Sequence, residues 1–318
     1  MRAVYLEAGV VSVQDVPVPE LLPGYARVRV RVAGICNTDL ELKRGYYGFA
    51  GIPGHEFVGD VVEGPSEWRG RRVVGEINLA CGQCALCARG WGRHCADRKV
   101  LGILKHPGAF AAMLTLPAGN LRVVPDHVSD EGAVFTEPIA AACQILDQMT
   151  IAHGERVAVL GAGKLGLLIA QVLHAHGAAV VLYGRHAATL ALAEGWGIDV
   201  RASVDPPPAA EYAVVVEATG ASDGLNQAIA MTKPRGTVVM KSTVTGSVAV
   251  NTAAAIVHEI TLLGSRCGRF EPALELLASG RVKVAEMIDA RFDLEDAALA
   301  FERAETKGVL KVLLRCAG

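Results

Sequence analysis

The sequence predicts an α/β protein, a doubly wound parallel sheet covered by helices and joined to a second, mainly β domain. Two textures predict it. Over residues 1–140, short β-type runs such as ARVRVRVAGI (26–35) and RRVVGEI (71–77) are broken by Gly and Pro. From 141 to 283 the chain alternates between apolar strands and helical stretches, as βαβ units do.

The first such unit is the clearest. RVAVL (156–160) reads as a buried strand, GAGKLG (161–166) as a turn, LLIAQVLHAHG (167–177) as a helix, and AAVVLYG (178–184) as the next strand. YAVVVEATG (212–220), GTVVMKS (236–242) and EITLLGS (259–265) continue the series, with a proline-rich loop expected at VDPPPAAE (204–211). The last segment, 284–318, reads as strand, amphipathic helix, strand, and is expected to return to the first domain.

Composition excludes several classes. Of 318 residues, 51% are hydrophobic and 20% charged, with a net charge of −2, so nothing marks a nucleic-acid or anionic-membrane partner. The long apolar stretch 157–182 is interrupted by glycines, Lys164 and two histidines, which argues against a membrane span. The opening MRAVYLEAGVVSVQDVPVPE has no signal-like apolar core, so a cytoplasmic location with reduced thiols is expected.

In that setting the cysteine cluster is informative. Cys81, Cys84, Cys87 and Cys95, within a lobe at 78–98, follow C-x2-C-x2-C-x7-C. Four thiolates so spaced can enclose one tetrahedral zinc, leaving no open position, so the site is structural. An iron–sulfur cluster uses similar spacings but lacks its sequence context here.

The turn Gly161, Gly163, Gly166 is a G-x-G-x-x-G placed between a strand and a helix. There it holds a dinucleotide pyrophosphate at the helix N-terminus, with Lys164 and Leu165 between the glycines. The second strand ends LYGRH, without the carboxylate that grips an NAD ribose. Arg185 there suits a 2′-phosphate, which favours NADP over NAD; a solvated loop arginine is the alternative.

Cys36 in GICNTD and His55-Glu56 in GHEFVG offer sulfur, imidazole and carboxylate, a set suited to a second zinc, which Glu137 in TEP could complete. With these motifs in order, and a closing GVLKVLL, the chain resembles the zinc-dependent medium-chain alcohol dehydrogenases over nearly its full length. The pair Glu137-Pro138 is most similar to their polyol, threonine and glucose dehydrogenase branch.

The resemblance implies a GroES-like catalytic domain at 1–140 and 284–318, a Rossmann domain at 141–283, and a homo-dimer or homo-tetramer. It implies two zinc ions per chain, one catalytic and one structural, and NAD(P). Cys36 and His55 would bind the catalytic zinc, with Glu56, Glu137 or water completing it. Thr38 would relay the proton of a zinc-bound alkoxide, and Asp39 would orient the histidine. Hydride would pass between a secondary alcohol, polyol or sugar-like substrate and the nicotinamide. Glu41 stands where many relatives carry a relay histidine, and the loop from Cys36 to His55 is short, so the substrate does not carry over. A zinc-free enone or quinone reductase would not need Cys36, His55 and Glu137 together. A nucleotide-sensing protein should have lost a ligand or the relay hydroxyl.

Overall fold

The computed structural model describes residues 1–203, 207–244 and 247–316; residues 204–206 of the expected proline-rich loop lie outside the described residues. The chain folds into two compact units. One holds Met1–Glu137, Phe270–Ala278 and Val284–Gly318; the other holds Pro138–Arg269 and Ser279–Lys283.

The first unit is built on a seven-stranded sheet centred on the strand Tyr25–Ile35. Its alternation buries Ala26, Val28 and Val30 on one face, the period of two expected of a strand with a single core face. Glu56–Glu63 and Lys311–Arg315 flank it, both antiparallel to it, and Met113–Pro117 pairs with its first half. A separate three-stranded sheet of Asn78–Leu79, Lys99–Leu101 and Lys105–His106 frames the cysteine loop.

The second unit carries six parallel strands. In spatial order they are Asp199–Ala202, Ala179–Gly184, Arg156–Leu160, Tyr212–Glu217, Thr232–Met240 and Thr261–Gly264. Val157, Ala158, Val159, Val214, Val215 and Val216 are all buried, because a central parallel strand is covered on both faces. The strand order reverses between Arg156–Leu160 and Tyr212–Glu217, the switch point where such sheets bind nucleotides.

The unit boundaries differ from those read in the sequence. The division falls between residues 137 and 138, inside the helix Thr136–Gln148, and not after 140. The helix Phe270–Ala278, read as part of the nucleotide domain, groups with the first unit. There Arg122 Nε donates to Glu271 Oε1 at 2.5 Å, and His127 Nε2 lies 3.0 Å from the Ala278 carbonyl oxygen. Its amphipathic pattern specifies a helix but not which sheet it covers.

Candidate active site

Strand register assembles the first site. Gly34 pairs with Glu56 on one side of the central strand, and Ile35 pairs with Val312 on the other. Cys36, His55, Glu56 and Lys311 therefore converge at one end of the sheet. One ligand atom from each of Cys36, His55 and Glu56 lies within 4.8 Å of the others. A Cβ at Gly34 would stand 2.7 Å from Glu56 Oε2 and 3.3 Å from Lys311 Cδ, so the close approach of these chains requires glycine.

Asp39 ties the two soft ligands together. It is fully buried in the helix Asn37–Lys43, which starts directly after Cys36. Its Oδ2 accepts the Cys36 backbone N–H at 2.9 Å, and its Oδ1 accepts Gly54 N–H at 3.1 Å. Oδ1 also faces His55 Nδ1 at 3.4 Å, which leaves the other ring nitrogen for a metal. Burial pushes the His55 pKa down, but the nearby Asp39 and Cys36 charges outweigh it and the net shift is upward. Thr38 Oγ1 lies 3.8 Å from Cys36 Sγ.

Lys311 is the residue that sequence reading missed. Its ammonium is buried and ion-paired with Glu56 Oε2, and it sits 5.3 Å from the centre of the Phe135 ring. Burial disfavours its charge, but Glu56, Cys36 and Glu137 outweigh that and raise its pKa above 10.5. GVLKVLL held the one available signal, a lone lysine in an apolar strand. Glu137, half-buried in the first turn of Thr136–Gln148, stands outside the close group of three ligand atoms and acts electrostatically on Lys311. Glu41 pairs with Arg44 at 2.7 Å.

These residues fit a zinc ion. The donor set is sulfur, imidazole and carboxylate, and Glu56 Oε1 is buried with no hydrogen-bond partner among the described residues.

The four cysteines also converge. Sγ atoms of Cys84 and Cys87 are 3.5 Å apart, Cys84 and Cys95 3.8 Å, and Cys81 and Cys87 3.9 Å. Four sulfurs about 2.3 Å from one zinc would stand about 3.8 Å from each other, the edge of that tetrahedron. All four thiols are free, and backbone N–H donation from Cys87, with the neighbouring thiols, lowers that of Cys84 to about 7.

In the second unit the glycine turn has the form a pyrophosphate needs. Gly161 adopts φ 113°, and a Cβ there would lie 2.6 Å from the Ala218 carbonyl oxygen. A Cβ at Gly166 would lie 1.8 Å from the Gly161 oxygen, so the helix packs onto the turn only with glycine. Gly163, the N-cap of the helix Lys164–His176, has open space where a Cβ would stand. That leaves the helix N-terminus accessible to an anion. Glu217 closes the neighbouring strand, its Oε1 accepting from Thr219 N–H at 2.7 Å and from Ser242 Oγ at 3.0 Å. Arg185 is exposed immediately beyond Ala179–Gly184. The unit fits a dinucleotide.

Comparison with known proteins agrees with this geometry. The alcohol dehydrogenase GroES-like domain family matches residues 22–126, and the zinc-binding dehydrogenase family matches residues 165–279. A zinc-binding dehydrogenase from Sinorhizobium meliloti 1021, solved with NADP bound, is 31% identical. It superposes with a TM-score of 0.89 over 99% of this chain and 98% of its own. The chain belongs to the zinc-binding alcohol dehydrogenase family. A further member, an alcohol dehydrogenase from Thermus sp. ATN1, is 31% identical with a TM-score of 0.88, covering 99% of each chain. A sorbitol dehydrogenase of Halalkalibacterium halodurans is 29% identical over 95% of both chains. The enzyme is thus an NAD(P)-dependent zinc alcohol dehydrogenase with a GroES-like and a Rossmann-type domain, as its motifs led one to expect. Among the described residues, no helix is long and apolar enough to cross a membrane.

Proposed function

We propose that this enzyme oxidises a secondary alcohol of a polyol or sugar-like substrate, reversibly, with NADP as the preferred acceptor. The convergence of Cys36, His55 and Glu56, with one buried carboxylate oxygen left without a partner among the described residues, carries this reading. The relatives named as sorbitol dehydrogenase and as an NADP-bound dehydrogenase support the substrate class and the cofactor.

In this reading Cys36, His55 and Glu56 hold the catalytic zinc, and Glu137 supplies a further carboxylate beside it. When bound, zinc supplies Lewis acidity toward the alcohol oxygen, and the nicotinamide supplies the hydride acceptor. The chain's own residues do the rest. Asp39 keeps a proton on His55 Nδ1 and fixes the ring. The Thr38 hydroxyl takes the alcohol proton and passes it on, and Lys311 balances the charge of Glu56. Gly161, Gly163, Lys164, Leu165 and Gly166 seat the pyrophosphate at the helix N-terminus. Assembly as a homo-dimer or homo-tetramer in the cytoplasm belongs to the same proposal. A panel of polyols, sugars and simple secondary alcohols, assayed with both cofactors before and after zinc removal, tests it. Turnover that survives complete zinc removal would refute it.

Cys81, Cys84, Cys87 and Cys95 are assigned the second, structural zinc. Elemental analysis should give two zinc equivalents per chain. Cys95→Ala should give one and a lower unfolding midpoint, since metal binding there is coupled to folding. An unchanged zinc content in Cys95→Ala would remove the assignment.

Arg185 is assigned to the 2′-phosphate. A charge-assisted hydrogen bond of ~1.5–3 kcal/mol corresponds to roughly a tenfold to hundredfold preference for NADP in kcat/KM. Arg185→Asp should reverse that preference, and salt should weaken it in the wild type. If the wild type prefers NAD and Arg185→Asp changes nothing, the arginine is only solvated.

A further inference from the structure

A buried lysine in the nucleotide-binding unit has no part in the chemistry above. Lys241 directly follows the strand Thr232–Met240, and only 9% of its surface is exposed. Its Nζ donates to the Ala141 carbonyl oxygen at 2.6 Å, to the Arg266 carbonyl oxygen at 3.1 Å and to Ser265 Oγ at 3.2 Å. Ala141 lies in the helix Thr136–Gln148, and residues 265–269 form the irregular segment that leaves the last strand, Thr261–Gly264.

The helix also meets that segment at both of its ends. Gln148 Nε2 donates to the Gly264 carbonyl oxygen at 3.0 Å, and Arg269 grips Asp147 through two contacts of 3.0 and 3.1 Å. A Cβ at Gly268 would stand 1.8 Å from the Ala140 carbonyl oxygen, so the backbones touch. Lys241 is the member that reaches the middle of the segment. Burying an ammonium is costly unless its protons are all bonded, and here three acceptors surround it. Drawing the Arg266 carbonyl inward also turns the next N–H, that of Cys267, the opposite way, because a trans peptide is planar.

The place of this clamp in the sheet gives it a function. A dinucleotide crosses the carboxyl ends of such strands at the switch point, one half to each side. The turn at 161–166 and Arg185 occupy the adenosine side. The ends of Tyr212–Glu217, Thr232–Met240 and Thr261–Gly264 therefore receive the nicotinamide half, and Lys241 and Ser265 stand on two of these ends. We propose that Lys241 is a positioning residue for the nicotinamide half of the cofactor, holding segment 265–268 in the conformation that half binds.

Fragment binding tests this apart from turnover. In the zinc-loaded Lys241→Met protein, the Kd of NADPH should rise about tenfold, whereas that of 2′,5′-ADP, which lacks the nicotinamide half, should stay within about twofold. NADH against ADP-ribose should divide in the same way. Ser265→Ala, which removes one of three acceptors, should weaken NADPH binding about threefold and spare 2′,5′-ADP. Equal weakening of whole cofactor and fragment would make Lys241 a general structural residue and overturn the proposal. So would an unchanged NADPH affinity in either variant; if Lys241→Met does not fold, Ser265→Ala decides. Wild-type protein that binds neither NADPH nor NADH would instead refute the cofactor reading itself.

Discussion

Cys36→Ala should lower alcohol oxidation at least about a thousandfold and leave the fold intact. Zinc contributes several kcal/mol of charge stabilisation at the reacting oxygen, and each 1.36 kcal/mol is about tenfold in rate. Cys36 is also the N-cap of Asn37–Lys43, and alanine keeps its backbone bonds there, the N–H to Asp39 Oδ2 and the carbonyl from Asp39 N–H. Zinc content should fall from two equivalents to one, with the four-sulfur site retained. His55→Ala should match it. Asp39→Asn should be milder, by about 10–100-fold, because it misorients a ligand without removing one. Measuring kcat, zinc content and the unfolding midpoint on the same preparations separates these effects. Substantial turnover in Cys36→Ala would contradict the assigned site.

Local signals carried most of the sequence reading. The turn at 161–166 was recognisable because strand, glycines and helix are contiguous, and the cysteine lobe because its four ligands span fifteen residues. Cys36, Thr38, Asp39, His55 and Glu56 lie within one short stretch, and their types suit a metal. Pairing over long sequence separations was not recognisable. Lys311 meets Glu56 across 255 residues, and only the register of three strands brings them together. Lys241 joins Ala141, 100 residues away, through the packing of the helix Thr136–Gln148, which local sequence does not specify either. The helix Phe270–Ala278 shows its periodicity locally, but its contacts to Arg122 and His127 span 149 and 151 residues of sequence.

Lys311→Met should be the most destabilising single substitution at the site. It keeps the volume of the side chain but, in the zinc-free protein, leaves the Glu56 carboxylate buried without its counter-charge. Breaking a buried ion pair from one side costs about 3–5 kcal/mol, much more than the pair itself contributes. For a unit of this size that is roughly 6–20 °C in the unfolding midpoint. The double variant Glu56→Gln/Lys311→Met should recover much of the loss, because no charge is then stranded, so the two single effects should not add. The pH dependence follows from the raised pKa of Lys311. A cation whose pKa is higher folded than unfolded contributes fully below its unfolded value, here 10.5, and loses that contribution only as pH rises through the folded value. The contribution of Lys311 should therefore be constant around neutral pH and decline only in strong alkali. Denaturant unfolding of the wild type, both single variants and the double variant supplies the cycle. If Lys311→Met unfolds with the wild type, Glu56 is not held by this lysine and the charge balance assigned to the site is wrong.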